Sequence, residues 1–226
     1  MNRLLVAGLV VVLVAAVLAG PAMVLSARLR DDVRRELRAD DASVRVVGWP
    51  AGIARGRLAV LRLRARGAKL DGVAVDEVSL DLRGVQIDPG RAVRGDFVLR
   101  GVDRGTAALV VGEESLRRYL AEERGIRSAA VRMDDGLVTI TGQVTVLNAV
   151  VDVTLRAGLV VRDGARLVLD VQQLRVGGLE VPREVGNALA ASINPILTAP
   201  RKPVALRFTG VTVDGGSARL AGEVAK

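Results

Sequence analysis

The chain of 226 residues is half hydrophobic yet holds only four aromatic residues, Trp49, Phe97, Tyr119 and Phe208. Its interior must therefore be aliphatic, a composition that favours β-structure and argues against disorder. Cysteine and histidine are absent, which excludes disulfides, thiolate nucleophiles, Cys/His zinc sites and imidazole-based triads.

The net charge of +8 is local. Residues 1–66 contain twelve arginines against five acidic residues, while the remaining 160 residues are almost balanced. Such a distribution reads as a basic zone beside a membrane; a nucleic-acid platform would need interleaved aromatics that this chain lacks. The alternative is an arginine-rich composition with no target.

After Asn2 and Arg3, residues Leu4 to Leu25 form a run of 22 without a charge, long enough at about 1.5 Å per residue to span a hydrocarbon core of about 30 Å. Residues 1–25 are thus a signal peptide or membrane anchor. Val17-Leu18-Ala19 and Gly20-Pro21-Ala22 offer small residues for cleavage, but the length suits a retained anchor better. Orientation is contested: Arg28, Arg30, Arg34, Arg35 and Arg38 follow the run, which by the positive-inside rule places the domain in the cytoplasm, whereas the short basic start matches an export signal.

Ser26 is placed to cap a helix with Asp31 and Asp32 in its first turns and Leu29, Val33 and Leu37 on one stripe. Residues 26–42 are expected to form a basic amphipathic helix, lying on lipid headgroups or packed on the domain. From Ser43 to Val111 the period becomes two: Leu61, Leu63 and Ala65 alternate with Arg62, Arg64 and Arg66, and Val78, Leu80 and Leu82 alternate with Ser79, Asp81 and Arg83. This predicts an antiparallel meander punctuated by glycines. Gly112 to Glu123 interrupts it with a short helix bearing Leu116, Tyr119 and Leu120 on one face. Strands then resume, with Asp135-Gly136 and Asp163-Gly164 as hairpin turns. One long helix is expected from Pro182 to Leu197, with Val185, Leu189, Ile193 and Leu197 on its stripe. A hairpin of Val204 to Phe208 and Val211 to Val224 closes the chain.

The layout predicts an α+β fold, a single domain over residues 43–226 in which one long, curved, mostly antiparallel sheet wraps around the helix. An aliphatic groove between them would suit acyl chains. The order of Val47-Gly48-Trp49-Pro50, Gly56-Arg57-Leu58, Leu70-Asp71-Gly72-Val73, Gly112-Glu113-Glu114-Ser115-Leu116, the Asp135 to Gly142 hairpin and Val176-Gly177-Gly178-Leu179 resembles the LmeA-like phospholipid-binding family of bacterial envelope proteins, within the tubular lipid-binding group. That resemblance implies a sheet wrapped on a long helix, an apolar tunnel, an extracytoplasmic location and phospholipid as ligand.

Trp49, Leu61, Leu63, Leu80, Leu82, Val185, Leu189 and Ile193 are the expected lipid-facing residues, although each would also suit an ordinary core. Arg57, Arg62 and Arg64 are the expected headgroup contacts, against the plainer reading of a solvated outer face. Phospholipid and a membrane surface are the expected partners; no protein partner is indicated. No nucleic acid, metal, cofactor or catalytic group is expected. The competing function is a membrane-anchored adaptor domain with no ligand cavity.

Overall fold

A computed structural model describes residues 26–224 except 28, 29, 32, 33, 36, 49, 94–98, 147, 148 and 201–203; the apolar N-terminal segment and Trp49 lie outside the described residues. Ser26, Ala27, Arg30, Asp31, Arg34 and Arg35 are helical, and a turn at Leu37 and Arg38 leads into the first strand. The elements in order are β1 (Asp41–Val47), α1 (Pro50–Ala54), β2 (Arg57–Leu70), β3 (Val73–Ile87), α2 (Pro89–Val93), β4 (Leu99–Gly112), α3 (Glu113–Glu122), β5 (Arg127–Asp134), β6 (Leu137–Val146), β7 (Ala149–Arg162), β8 (Arg166–Val176), β9 (Leu179–Glu180), α4 (Arg183–Ile193), β10 (Leu197–Thr198), β11 (Leu206–Asp214) and β12 (Ser217–Val224).

The strands are antiparallel, as expected, but they form two sheets and not one. The long sheet runs β1-β2-β3-β4-β12-β11; the short one runs β10-β8-β7-β6-β5, with β9 also on β8. The division has a local cause. After β4 the chain leaves the ladder as α3, and β12 takes the far edge of β4 through pairs such as Leu109↔Leu220, so β5 must begin a new sheet. Both predicted Asp-Gly turns are present, and Asp71-Gly72 forms a third; in each, both residues have positive φ, the condition for a two-residue hairpin turn that matches strand twist.

The start of α3 is the joint between the sheets. The Gly112 N–H donates to Asp76 Oδ2 at 2.8 Å, the Ser115 hydroxyl donates to the same carboxylate, and the Glu113 N–H donates to the Gly216 carbonyl at 3.2 Å. Glu113 Oε1 in turn accepts from the Met133 N–H at 2.7 Å. Strands β3 and β5 and the β11–β12 turn thus meet at one helical turn, where the helix dipole also favours Glu113 and Glu114.

The expected long helix is shorter than predicted, and the sheet does not wrap it. It has 11 residues and packs on β8. Its buried face is Gly186, Ala190 and Ile193, whereas Val185 is 48% exposed. A Cβ at Gly186 would come within 3.0 Å of Val171 Cγ1, so the glycine permits the close approach that fixes this face. The helix ends because the Asn194 side chain joins the sheet, accepting from Leu169 N at 2.8 Å and donating to Leu169 O at 3.0 Å.

The apolar residues form two main clusters. The first lies between the short sheet, α3, α4 and one end of the long sheet, including Val73, Val75, Leu109, Val111 and Leu220. The second lies at the other end of the long sheet, around Val44, Val46, Ile53, Leu58, Leu61, Leu82, Val85, Ile87 and Val204. Along β2 and β3 the inward alternation resets twice, between Leu58 and Leu61 and between Ala65 and Ala68. The β2–β3 pairing omits Ala59/Gly84 and Gly67/Asp76 at these points, and both glycines have positive φ.

A Cβ at Gly84 would fall on the Asp103 carboxylate, and any side chain there would hold a left-handed backbone that costs about 1–2 kcal/mol. Gly84→Ala is therefore expected to lower the melting temperature by about 2–8 °C, at about 2–4 °C per kcal/mol for a domain of this size. Gly210→Ala, which meets nothing within 4 Å, should leave the melt unchanged. Equal melting temperatures for the two variants would contradict the assigned strain.

Candidate functional site

The long sheet is longer than its cover. Strand β3 has 15 residues, about 50 Å at ~3.3 Å per residue, and the short sheet lies over only the half beginning at Val73. The other half carries two transverse apolar rows on its inner face, Val46–Leu61–Leu82–Gly105 and Val44–Leu63–Leu80–Ala107. Leu61 and Leu82 are buried at the base of this surface. Leu63, Leu80, Leu99, Val102, Leu206 and Val224 pack against them but stay half-buried. Gly105 keeps the surface low, since a Cβ there would overlap Leu82 and come within 2.7 Å of Val224 Cγ2.

This band of partly covered leucine and valine has no buried polar member. Its described side chains offer dispersion and apolar burial, the terms that favour contact with hydrocarbon. Leu63 also sits where two clusters meet, touching the second cluster and the small alanine cluster of Ala39, Ala42, Ala65 and Ala68.

Leu61, Leu63, Leu80 and Leu82, expected to face acyl chains, are thus brought together. Val185, Leu189 and Ile193 are not. Ile193 is buried in the first cluster, Leu189 packs against it, and Val185 is exposed. The helix that carries them lies on β8 of the short sheet, so it forms no wall of the leucine surface.

The arginines divide as well. Arg62 and Arg64 line an open depression of about 350 Å³ with Ser79, Asp81, Thr106 and Ala108, above the backbone of Leu63, Leu80 and Ala107. Arg62 Nε donates to Asp81 Oδ2 at 2.8 Å, and Arg83 Nε lies 3.7 Å from the other oxygen of that carboxylate. Arg57 lies outside the depression, opposite Gln86 and beyond the Ala59/Gly84 irregularity. Because successive strand residues point to opposite faces, Arg62 and Arg64 are on the reverse side of the sheet from Leu61 and Leu63. One lipid cannot lie on the leucines and extend its phosphate through the sheet to those arginines.

Sequence reasoning missed Leu99, Val102, Leu206 and Val224. Leu99 and Val102 are three apart because the β3–β4 register shifts between Gln86 and Ile87, opposite Gly101 and Leu99, which hides them from a period-two reading. Leu206 and Val224 reach the surface through the pairing of β12 with β4, a contact that spans more than a hundred residues and leaves no local signal.

None of the curated proteins and none of the solved structures compared with the chain matches it. A family model does, and it describes proteins that are LmeA-like and phospholipid-binding. The matched stretch runs from residue 16 to residue 223 and takes in every strand of the long sheet except the last residue of β12. By a match over nearly its whole length, the chain belongs to the LmeA-like phospholipid-binding family.

Proposed function

We propose that this protein is an extracytoplasmic phospholipid-binding protein of the bacterial envelope, tethered by the apolar run Leu4 to Leu25, which shelters acyl chains on the uncovered half of its long sheet. The observation that carries this reading is the half-buried band of Leu63, Leu80, Leu99, Val102, Leu206 and Val224 around the buried members of the second cluster. From Leu80 to Ile87, β3 extends about 25 Å at ~3.3 Å per residue. One leaflet of a hydrocarbon core is about 15 Å thick, so an acyl chain laid along β3 fits within that length. Burial of each methylene contributes about 0.8 kcal/mol. An open face also suits loading and unloading, and transfer of lipid between membranes is part of this reading.

Native mass spectrometry of protein purified from cells is expected to show bound phospholipid. Replacing a half-buried leucine by glutamine removes about 1–2 kcal/mol of apolar burial, so Leu63→Gln and Leu80→Gln should each weaken lipid uptake from vesicles on the order of ten-fold. Leu179→Gln, at a side chain 75% exposed on β9, should not. Lipid-free spectra together with undiminished uptake in the two leucine variants would favour the ligand-free adaptor.

Location has its own measurement. The chain has no cysteine, so Val150→Cys, at a side chain 51% exposed, introduces a single thiol. A membrane-impermeant maleimide should label it in intact cells if the domain is extracytoplasmic. Labelling only after lysis would place the domain in the cytoplasm.

A further inference from the structure

The outer face of the long sheet carries a charge pattern that its own fold does not explain. Two adjacent rows cross it, Val47–Val60–Arg83–Arg104 and Arg45–Arg62–Asp81–Thr106, followed by Ser43–Arg64–Ser79–Ala108. Arg45 stands directly opposite Arg62, and Arg83 directly opposite Arg104. Like charges in directly opposed positions destabilise a strand pair. The same sheet avoids this elsewhere: Arg66 is flanked by Asp41 and Glu77, and Arg207 faces Glu223.

Within these three rows five arginines surround one acid, Asp81, which already pairs with Arg62 and Arg83. Arg45, Arg64 and Arg104 have no ion-pair partner among the described residues. The nearest other acids are at the border: Asp103 with its carboxylate against Gly84, Asp41 and Glu77 beside Arg66, and Glu223 beyond Thr106. The face is wide, the depression lined by Arg62 and Arg64 is open, and at the edge of the face Val47 is 47% exposed. A single small anion would leave most of these arginines unanswered, whereas a plane of phosphates answers all of them at once.

We propose that this arginine-bearing outer face of the long sheet docks on an anionic membrane surface, with Val47 entering the headgroup layer at the edge. The ligand class is a lamellar array of anionic phospholipid headgroups. Folding builds the face from four strands, because Arg83 on β3 and Arg104 on β4 join the arginines of β1 and β2. Docking is independent of the leucine surface, which lies on the opposite side of the same strands. Each arginine near an anionic surface contributes about five-fold to partitioning, and the attraction decays over a Debye length of about 8 Å at physiological salt.

The test uses the full chain reconstituted with vesicles and reads the orientation of the domain, so that insertion of the apolar N-terminal run does not mask the result. An environment-sensitive fluorophore is placed at Val47→Cys, the sole thiol of that variant, and in a second protein at Arg132→Cys, an exposed position on β5 of the short sheet. With phosphatidylglycerol vesicles at low salt, the label at 47 should shift to the blue and transfer energy to headgroup-labelled lipid, while the label at 132 should not. High salt should abolish the signal, and phosphatidylcholine vesicles should not produce it.

In the Val47→Cys background, Arg45→Glu with Arg104→Glu should reduce vesicle engagement at least 25-fold, two arginine contributions of about five-fold each. The same pair of changes replaces two like-charge pairs by opposite-charge pairs, so the melting temperature should hold or rise. Equal signals at 47 and 132, a full signal on phosphatidylcholine, or an undiminished signal after the double reversal would overturn the proposal. If the double variant fails to fold, the lipid and salt comparisons on the Val47→Cys protein decide alone. Phospholipid content by mass spectrometry is read on the same samples. Its retention in the double variant separates failure of docking from failure of acyl-chain binding.

Discussion

The structure depends on one mismatch of lengths. An apolar sheet face must be covered, and the strands of the long sheet extend well past the elements available to cover them. Where the short sheet, α3 and α4 reach, side chains from Val73 to Leu220 close into a continuous core. Where they do not reach, the cover among the described residues is α1 through Ile53, the edge strand β1 and Val204. The point at which closure stops is set by α3, whose first turn ties Asp76, Gly216 and Met133 together and thereby holds the short sheet over one end. The uncovered half-face is a direct consequence of where that joint sits along β3.

The second constraint is the period of the strand. Because side chains alternate, the same two strands present Leu61, Leu63, Leu80 and Leu82 on one side and Arg62, Arg64, Asp81 and Arg83 on the other. The leucine side loses water when apolar matter covers it, and the arginine side keeps its hydration or exchanges it for phosphate. The two faces share a backbone and differ in the chemistry they present. The resets at Gly67 and Gly84 limit this regular stretch: beyond them Ala68 and Leu58 turn inward from positions that would otherwise continue the arginine face.

Much of this was legible from short-range pattern. The alternation of β2 and β3, the Asp-Gly turns, the break at Gly112 and the helix after Pro182 all depend on residues within a few positions of one another, where steric and hydrogen-bond preferences act directly. Two kinds of information were not. Pairing of β12 with β4, which divides the strands into two sheets, is a choice between distant partners of similar local character. The buried face of α4 was assigned to Val185 and Leu189 on hydropathy, yet Gly186 and Ala190 face β8 because small residues let the helix approach Val171. Of the expected acyl-chain residues, the four leucines of the long sheet are together, since one alternation places them; the three helix residues are elsewhere, since α4 packs on β8 of the second sheet, where Ile193 and Leu189 join the first cluster and Val185 is exposed.

The back-to-back arrangement also bears on how a lipid could move. With the arginine face against headgroups, the leucine surface looks away from that membrane, and the sheet itself separates a sheltered chain from the bilayer beneath. Passage must then go around an edge. On the β11 side, the long sheet is hemmed in by contacts of β11 with β5 and β7. On the β1 side, no strand beyond β1 pairs with it among the described residues. Val47 stands exposed there beside Val60, with Val46 and Val44 leading inward to Leu61 and Leu63. Hydrocarbon moving over these residues would meet only valine and leucine. If the arginine face docks and the leucine surface shelters acyl chains as proposed, the β1 edge, which follows the basic N-terminal zone in sequence, would be the apolar route between the membrane on one face and the leucine surface on the other.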